Sequence, residues 1–143
     1  MLKTDTYVLG DAIAKLADRI ADLDAELDNL DESTDEYQAV ESRRDRLRYF
    51  KNGLEFQRDE LDWNESAGIE LGAISAGEKA LMNREVPDAA AEDERVLWFI
   101  AASTVEAPYA SPDDSLEETF TELSQCAHPA FTDWLEAKAN SLS

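Results

Sequence analysis

The sequence predicts an all-α protein: an antiparallel, coiled-coil-like helical hairpin over residues 1–63, a linker or turn at 64–74, and a small helical module over 75–143. Three observations carry this expectation. Apolar residues keep a heptad seam through residues 9–30. A second run keeps a seven-residue period through Val40, Leu47, Leu54 and Leu61. Beyond residue 75, short apolar stretches alternate with helix-start signals and prolines.

In the first stretch, Leu9, Ile13, Leu16, Ile20, Leu23, Leu27 and Leu30 alternate spacings of four and three, the period of a helix packed along one face. Asp18, Asp22, Asp24, Glu26 and Asp28 form the solvated side, and five interspersed alanines raise helix propensity. Gly10 weakens the start, so the helix is expected over residues 11–30. Ser33 followed three residues later by Glu36 reads as a capping box, which opens a second helix over residues 34–62. So short a connection favours antiparallel packing. Tyr37 and Phe50 fill further seam positions. Arg43, Arg44, Arg46, Arg48, Lys51 and Arg58 lie on this helix, placed to pair with the acidic flanks of the first. Tyr49, Phe56 and Trp63 form another seven-residue row, about 200° around the helix from the leucines, so the second helix needs a second neighbour.

Residues 64–72 contain Gly68 and Gly72 and read as the turn, with Ile69 and Leu71 in a short extended piece. Ser75 and Glu78 make a capping box for a helix running to Glu85 that buries Leu81 and Met82. Pro87 breaks it. Residues 88–104 form the next helix, capped by Asp88. Its run from Val96 through Trp98 to Ile100 is apolar all round and marks the centre of the module. Pro108 and Pro112 reset the chain. Residues 113–126 form an amphipathic helix with Leu116, Phe120 and Leu123 inward. Pro129 suits the first turn of a last helix carrying Phe131, Trp134 and Leu135.

The formal net charge is −20, from 33 acidic against 13 basic residues spread over all 143 positions. Phosphate neutralisation needs Lys and Arg, so nucleic acid is not an expected partner. A dispersed acidic excess with eight Arg and only five Lys suits a protein of multimolar salt, such as a haloarchaeal one. At about 1 M salt the Debye length is roughly 3 Å and self-repulsion is screened. The longest apolar run, residues 96–102, is far short of a membrane span. No secretory leader pattern opens the chain, and the single Cys126 can make no internal disulfide; a cytoplasmic location is expected.

Candidate chemistry is sparse. His128 has no second histidine and no cysteine set beside it, and its place before Pro129 reads as a loop or capping position. Asp22-x-Asp24-x-Glu26-x-Asp28 mimics a calcium loop, yet Leu27 stands where the turn glycine belongs. There is no phosphate-binding glycine loop and no nucleophile elbow. The expectation is a non-enzyme with no cofactor and no metal.

The run Ser75-Ala76-Gly77-Glu78, then Thr104-Val105-Glu106-Ala107-Pro108-Tyr109, then Pro129-Ala130-Phe131-Thr132-Asp133-Trp134-Leu135, closing in Ser141-Leu142-Ser143, resembles the tail assembly chaperones of tailed viruses and proviruses, here of haloarchaeal type. The resemblance covers residues 75–143 only. It implies a protein that coats a long helical client, such as a tail tape-measure protein, during assembly in the host cytoplasm. The partner-binding candidates are Tyr49, Phe56 and Trp63, with Trp98 and Trp134. The competing expectation is a coiled-coil structural or adaptor protein of a haloarchaeal cell or virion, self-associating as a homodimer through the hairpin.

Overall fold

A computed structural model describes residues 1–143. Strand β1 (Lys3–Val8) leads directly into helix α1 (Leu9–Asp28), which turns back as α2 (Asp35–Asp59). Then follow β2 (Gly68–Ala73), α3 (Ala76–Glu85), α4 (Glu92–Ser103), β3 (Thr104–Glu106), α5 (Leu116–Cys126) and α6 (Pro129–Leu142). The all-α expectation is therefore wrong. The fold is mixed α/β, with a three-stranded antiparallel sheet in the order β1-β2-β3.

The extended piece expected at Ile69 and Leu71 is strand β2, while β1 and β3 sit where local signals are weak. Lys3–Val8 alternates Thr, Tyr and Val with charged residues, a pattern of modest β-propensity that becomes a strand only when a partner is present. That partner is the expected linker. Gly68–Ala73 is the central strand, pairing Lys3 with Ala73 through Val8 with Gly68. Ile69 and Leu71 are fully buried, so their backbone groups need partners away from water, and a sheet supplies them on both sides. β3 follows α4 without a loop. Thr104 and Val105 are β-branched, and the Thr104 hydroxyl donates to the Ile100 carbonyl at 2.8 Å, closing the helix one residue before its expected end.

The hairpin forms as its periodicity requires. Leu9, Ile13, Ile20, Leu23 and Leu27 are buried, with Val40 and Leu54 opposite; Leu16 and Leu47 are half-buried. α1 starts at Leu9 despite Gly10. The Gly10 N–H donates to the Glu65 carbonyl at 2.8 Å, and a Cβ there would stand 3.2 Å from that oxygen. The glycine lets the 64–67 turn lie against the helix start. The cap of α2 is Thr34, not Ser33: its hydroxyl accepts from the Tyr37 N–H at 3.2 Å, while Ser33 bonds to Asp31. The hairpin tip holds its own small cluster of Leu23, Leu27 and Val40, separate from the main core.

That core gathers residues from both halves of the chain: Leu9 and Ile13, Phe50 and Leu54, Ile69 and Leu71, Ile100, Tyr109, Leu123, and Phe131, Trp134 and Leu135. α6 lies between α2 and the sheet, and the Tyr7 ring meets Trp134 edge-on at 5.5 Å. The Ser75–Glu78 capping box forms, and a second one, Ser115–Glu118, opens α5 three residues later than expected. α4 begins at Glu92 without a side-chain cap; Asp88 does not serve, and the Arg95 guanidinium instead donates to the carbonyls of Asp88 at 3.1 Å and Ala90 at 3.2 Å. α3 has no buried residue, and Leu81, expected inside, is 54% exposed.

Candidate functional site

The aromatic row on α2 is placed along the seam where α2 meets α6. The closest approach is at Gly53, where a Cβ would stand 2.5 Å from the Phe131 nitrogen and 2.7 Å from the Ala130 carbonyl carbon. Backbone thus packs on backbone, which brings the start of α6 within reach of its neighbours on α2. One turn on, Gln57 is fully buried. Its amide donates to the Cys126 carbonyl at 3.1 Å and accepts from the His128 N–H at 2.8 Å. Both backbone groups lie at the α5–α6 turn, and one side chain satisfies them.

His128 is the N-cap of α6. Its Nδ1 accepts from the Ala130 N–H at 3.0 Å, so Nδ1 carries no proton in this arrangement. Its ring lies 4.9 Å from that of Phe56. The Tyr49 hydroxyl donates to Asp133 Oδ2 at 3.0 Å. That bond holds the phenolic proton and raises the Tyr49 pKa, with desolvation and the Asp133 charge adding to it.

The five partner-binding candidates therefore separate. Tyr49 and Phe56 are 42% and 37% exposed at the α2–α6 seam. Trp63 is half-buried, edge-on to Phe131 at 5.3 Å and beside Tyr109 at 6.2 Å. It is reached through Asp62, the one non-glycine residue with positive φ (56°), a conformation Asp tolerates better than most. Trp98 and Trp134 are interior. Trp98 stacks on Phe120 at 4.1 Å and joins α4 to α5, with its Nε1 buried and without a hydrogen-bond partner. Trp134 lies among Tyr7 and Phe131.

The basic cluster of α2 is largely consumed within the chain. Arg44 and Arg48 reach Asp24 on α1 at 3.2 and 3.4 Å. Lys51 pairs with Glu55 at 3.3 Å, and Arg58 with Asp59 and Glu65. Such exposed pairs contribute about 0–1 kcal/mol each and act mainly on register. Arg46 covers the Phe50 ring at 5.0 Å.

Of the four main surface concavities, two carry three or more carboxylates. One, of about 720 Å³, lies beside the 106–115 loop and the start of α5, lined by Glu106, Asp114, Glu117, Glu118 and Glu122. The other, of about 340 Å³, runs between α4 and the α5–α6 turn, lined by the apolar Val96, Leu97, Leu123 and Ala127 and by Asp93, Asp133 and Glu136 among its polar residues. Neither holds a nucleophile beside a base. The Cys126 thiol nearby has its pKa pushed up to about 11, chiefly by burial and then by the Glu122 charge, which makes it a poor nucleophile. Burial likewise raises the Tyr109 pKa. No three His, Cys, Asp or Glu side chains are grouped to hold a metal ion, and no helix is long and apolar enough to cross a membrane.

Sequence reasoning missed Gly53 and Gln57. A glycine followed four residues later by a glutamine, on the flank of α2 between the leucine row and the aromatic row, was the available signal for a close helix crossing. A scan against protein-family models finds no match, and searches of curated proteins and of solved structures find none either.

Proposed function

We propose that this protein is a non-enzymatic binding module that shields an apolar helical segment of another protein. The tail assembly chaperones that residues 75–143 resemble are the best guide to the client: a long helical protein of a halophilic tailed virus. The observation that carries the reading is the half-exposed pair Tyr49 and Phe56, two large aromatics on a rigid α2–α6 seam. Rigid aromatic anchors concentrate binding energy, and a net charge of −20 keeps a complex with an aggregation-prone client dispersed.

The alternative, a self-associating adaptor, draws less support. Outside Tyr49 and Phe56, the hairpin exposes no large apolar side chain on α1 or α2. A four-helix dimer would need such a stripe. Light scattering in about 2–3 M salt, alone and after co-expression with a candidate helical client, tests the choice. Recovery of the client with many copies of this protein supports the chaperone reading. A fixed oligomer that captures no client would overturn it in favour of the adaptor.

A further inference from the structure

The groove between α4 and the α5–α6 turn is continuous with the Tyr49–Phe56 seam. Asp133 belongs to both: it lines the groove and accepts the Tyr49 hydroxyl at 3.0 Å. Pro129 and Ala127 line the groove on either side of His128, whose ring meets Phe56. The lining is mixed: Val96, Leu97, Leu123 and Ala127 are apolar, and the rest are polar or charged apart from Pro129. Asp93 on α4 and Asp133 and Glu136 on α6 supply three carboxylates, none of them in an ion pair within this chain, and no Lys or Arg lines the groove.

From this geometry we infer that the groove and the adjoining seam dock a basic amphipathic helix of a partner protein, its apolar face on Val96, Leu97 and Ala127 and its Lys or Arg residues against Asp93, Asp133 and Glu136. This deepens the binding-module reading and rests on it, though not on the identity of the client. Charge complementarity selects the occupant. A second copy of this chain, with 33 acidic against 13 basic residues, offers mostly carboxylates to these carboxylates at contact distance, where salt screens least, whereas a cationic helix supplies the missing counter-charges. The apolar residues Val96, Leu97, Leu123 and Ala127 of the lining suit the row that an amphipathic helix presents at i, i+3, i+4 and i+7. The larger acidic concavity beside α5 has charge with little apolar lining, so it lacks half of what such a helix needs.

The probe is a synthetic Leu/Lys amphipathic helix of about 14 residues, long enough for marginal helicity, titrated into the full-length, isotope-labelled protein in about 0.15 M and about 2 M salt. Amide shift changes are expected to cluster at Leu97, Ala127, Asp133 and Tyr49. The Asp93→Asn/Glu136→Gln double variant, which keeps side-chain size, is expected to bind about fivefold or more weakly in low salt, with the difference shrinking in high salt as screening grows. The Glu117→Gln/Glu122→Gln variant, which neutralises the other concavity, is expected to bind as the parent does. Shifts centred on residues 106–122, unchanged affinity in the Asp93/Glu136 variant, or dimerisation of the unliganded protein through this face would each overturn the inference. A groove that binds the peptide while co-expression captures no helical client would sink the chaperone reading alone. A captured client with the peptide mapping elsewhere would sink this surface alone.

Discussion

Replacing Gly53 by alanine is expected to destabilise the protein, although the same change in most helices stabilises it. Alanine is a better helix former than glycine by about 0.5–1 kcal/mol, through the backbone entropy that glycine loses on folding. At Gly53 the new methyl would stand 2.5 Å from the Phe131 nitrogen and 2.7 Å from both the Ala130 carbonyl carbon and its Cβ. Ordinary contact is near 3.5–4 Å, so the start of α6 must move by about 1 Å. It cannot do so freely, because Phe131, Trp134 and Leu135 are fixed in the core and Gln57 ties the preceding turn. Overpacking of this kind costs about 1–3 kcal/mol, and propensity offsets only part of it. Gly77 in α3 supplies the internal control. The nearest atom to a Cβ there is 4.0 Å away and Gly77 lies in the first turn of α3, so Gly77→Ala is expected to be neutral or to gain up to about 0.5 kcal/mol. Urea denaturation of both variants, followed by far-UV and near-UV circular dichroism, reads the two changes. A Gly53→Ala protein as stable as the Gly77→Ala protein would refute the close α2–α6 crossing.

Two further outcomes follow from the same region. Gln57→Met keeps length and apolar volume but orphans the Cys126 carbonyl and the His128 N–H, both hydrogen-bonded by Gln57; a loss of about 2–5 kcal/mol is expected, with faster hydrogen exchange at the His128 amide, and a loss under about 0.5 kcal/mol would contradict the role given to Gln57. The raised Cys126 pKa favours the neutral thiol in the folded state, so this contribution is complete below the unfolded thiol pKa and fades as pH rises through about 11. Alkylation of the native protein near pH 8 is accordingly expected to be about ten- to a hundredfold slower than in urea, and equal rates would show that the thiol is neither buried nor shifted.

The heptad seam, the antiparallel return and the proline-led last helix were legible in the sequence. Each rests on interactions between residues a few positions apart or on a period repeated many times, and such signals survive without tertiary context. Of the six basic residues expected to face α1, only Arg44 and Arg48 reach it, both at Asp24, while Lys51 and Arg58 pair with Glu55, Asp59 and Glu65. His128 directly precedes a proline suited to a first turn, which left a loop and a capping position open, and the structure makes it the N-cap. The second apolar row on α2 announced that this helix had another neighbour, and that neighbour is α6.

What the sequence alone determined is thus the hairpin, the order of the helices and the acidic surface. Only the tertiary structure decided that residues 3–8, 68–73 and 104–106 form one sheet. A strand of three to six residues has little preference of its own, and β1 acquires its conformation from a partner some sixty positions away. Likewise, only the packed chain decided which aromatics remain at the surface. Tyr49 and Trp134 are alike in sequence as large rings on helices, but α6 lies between α2 and the sheet, enclosing Trp134 and leaving the rim of the seam, with Tyr49 and Phe56, open to solvent.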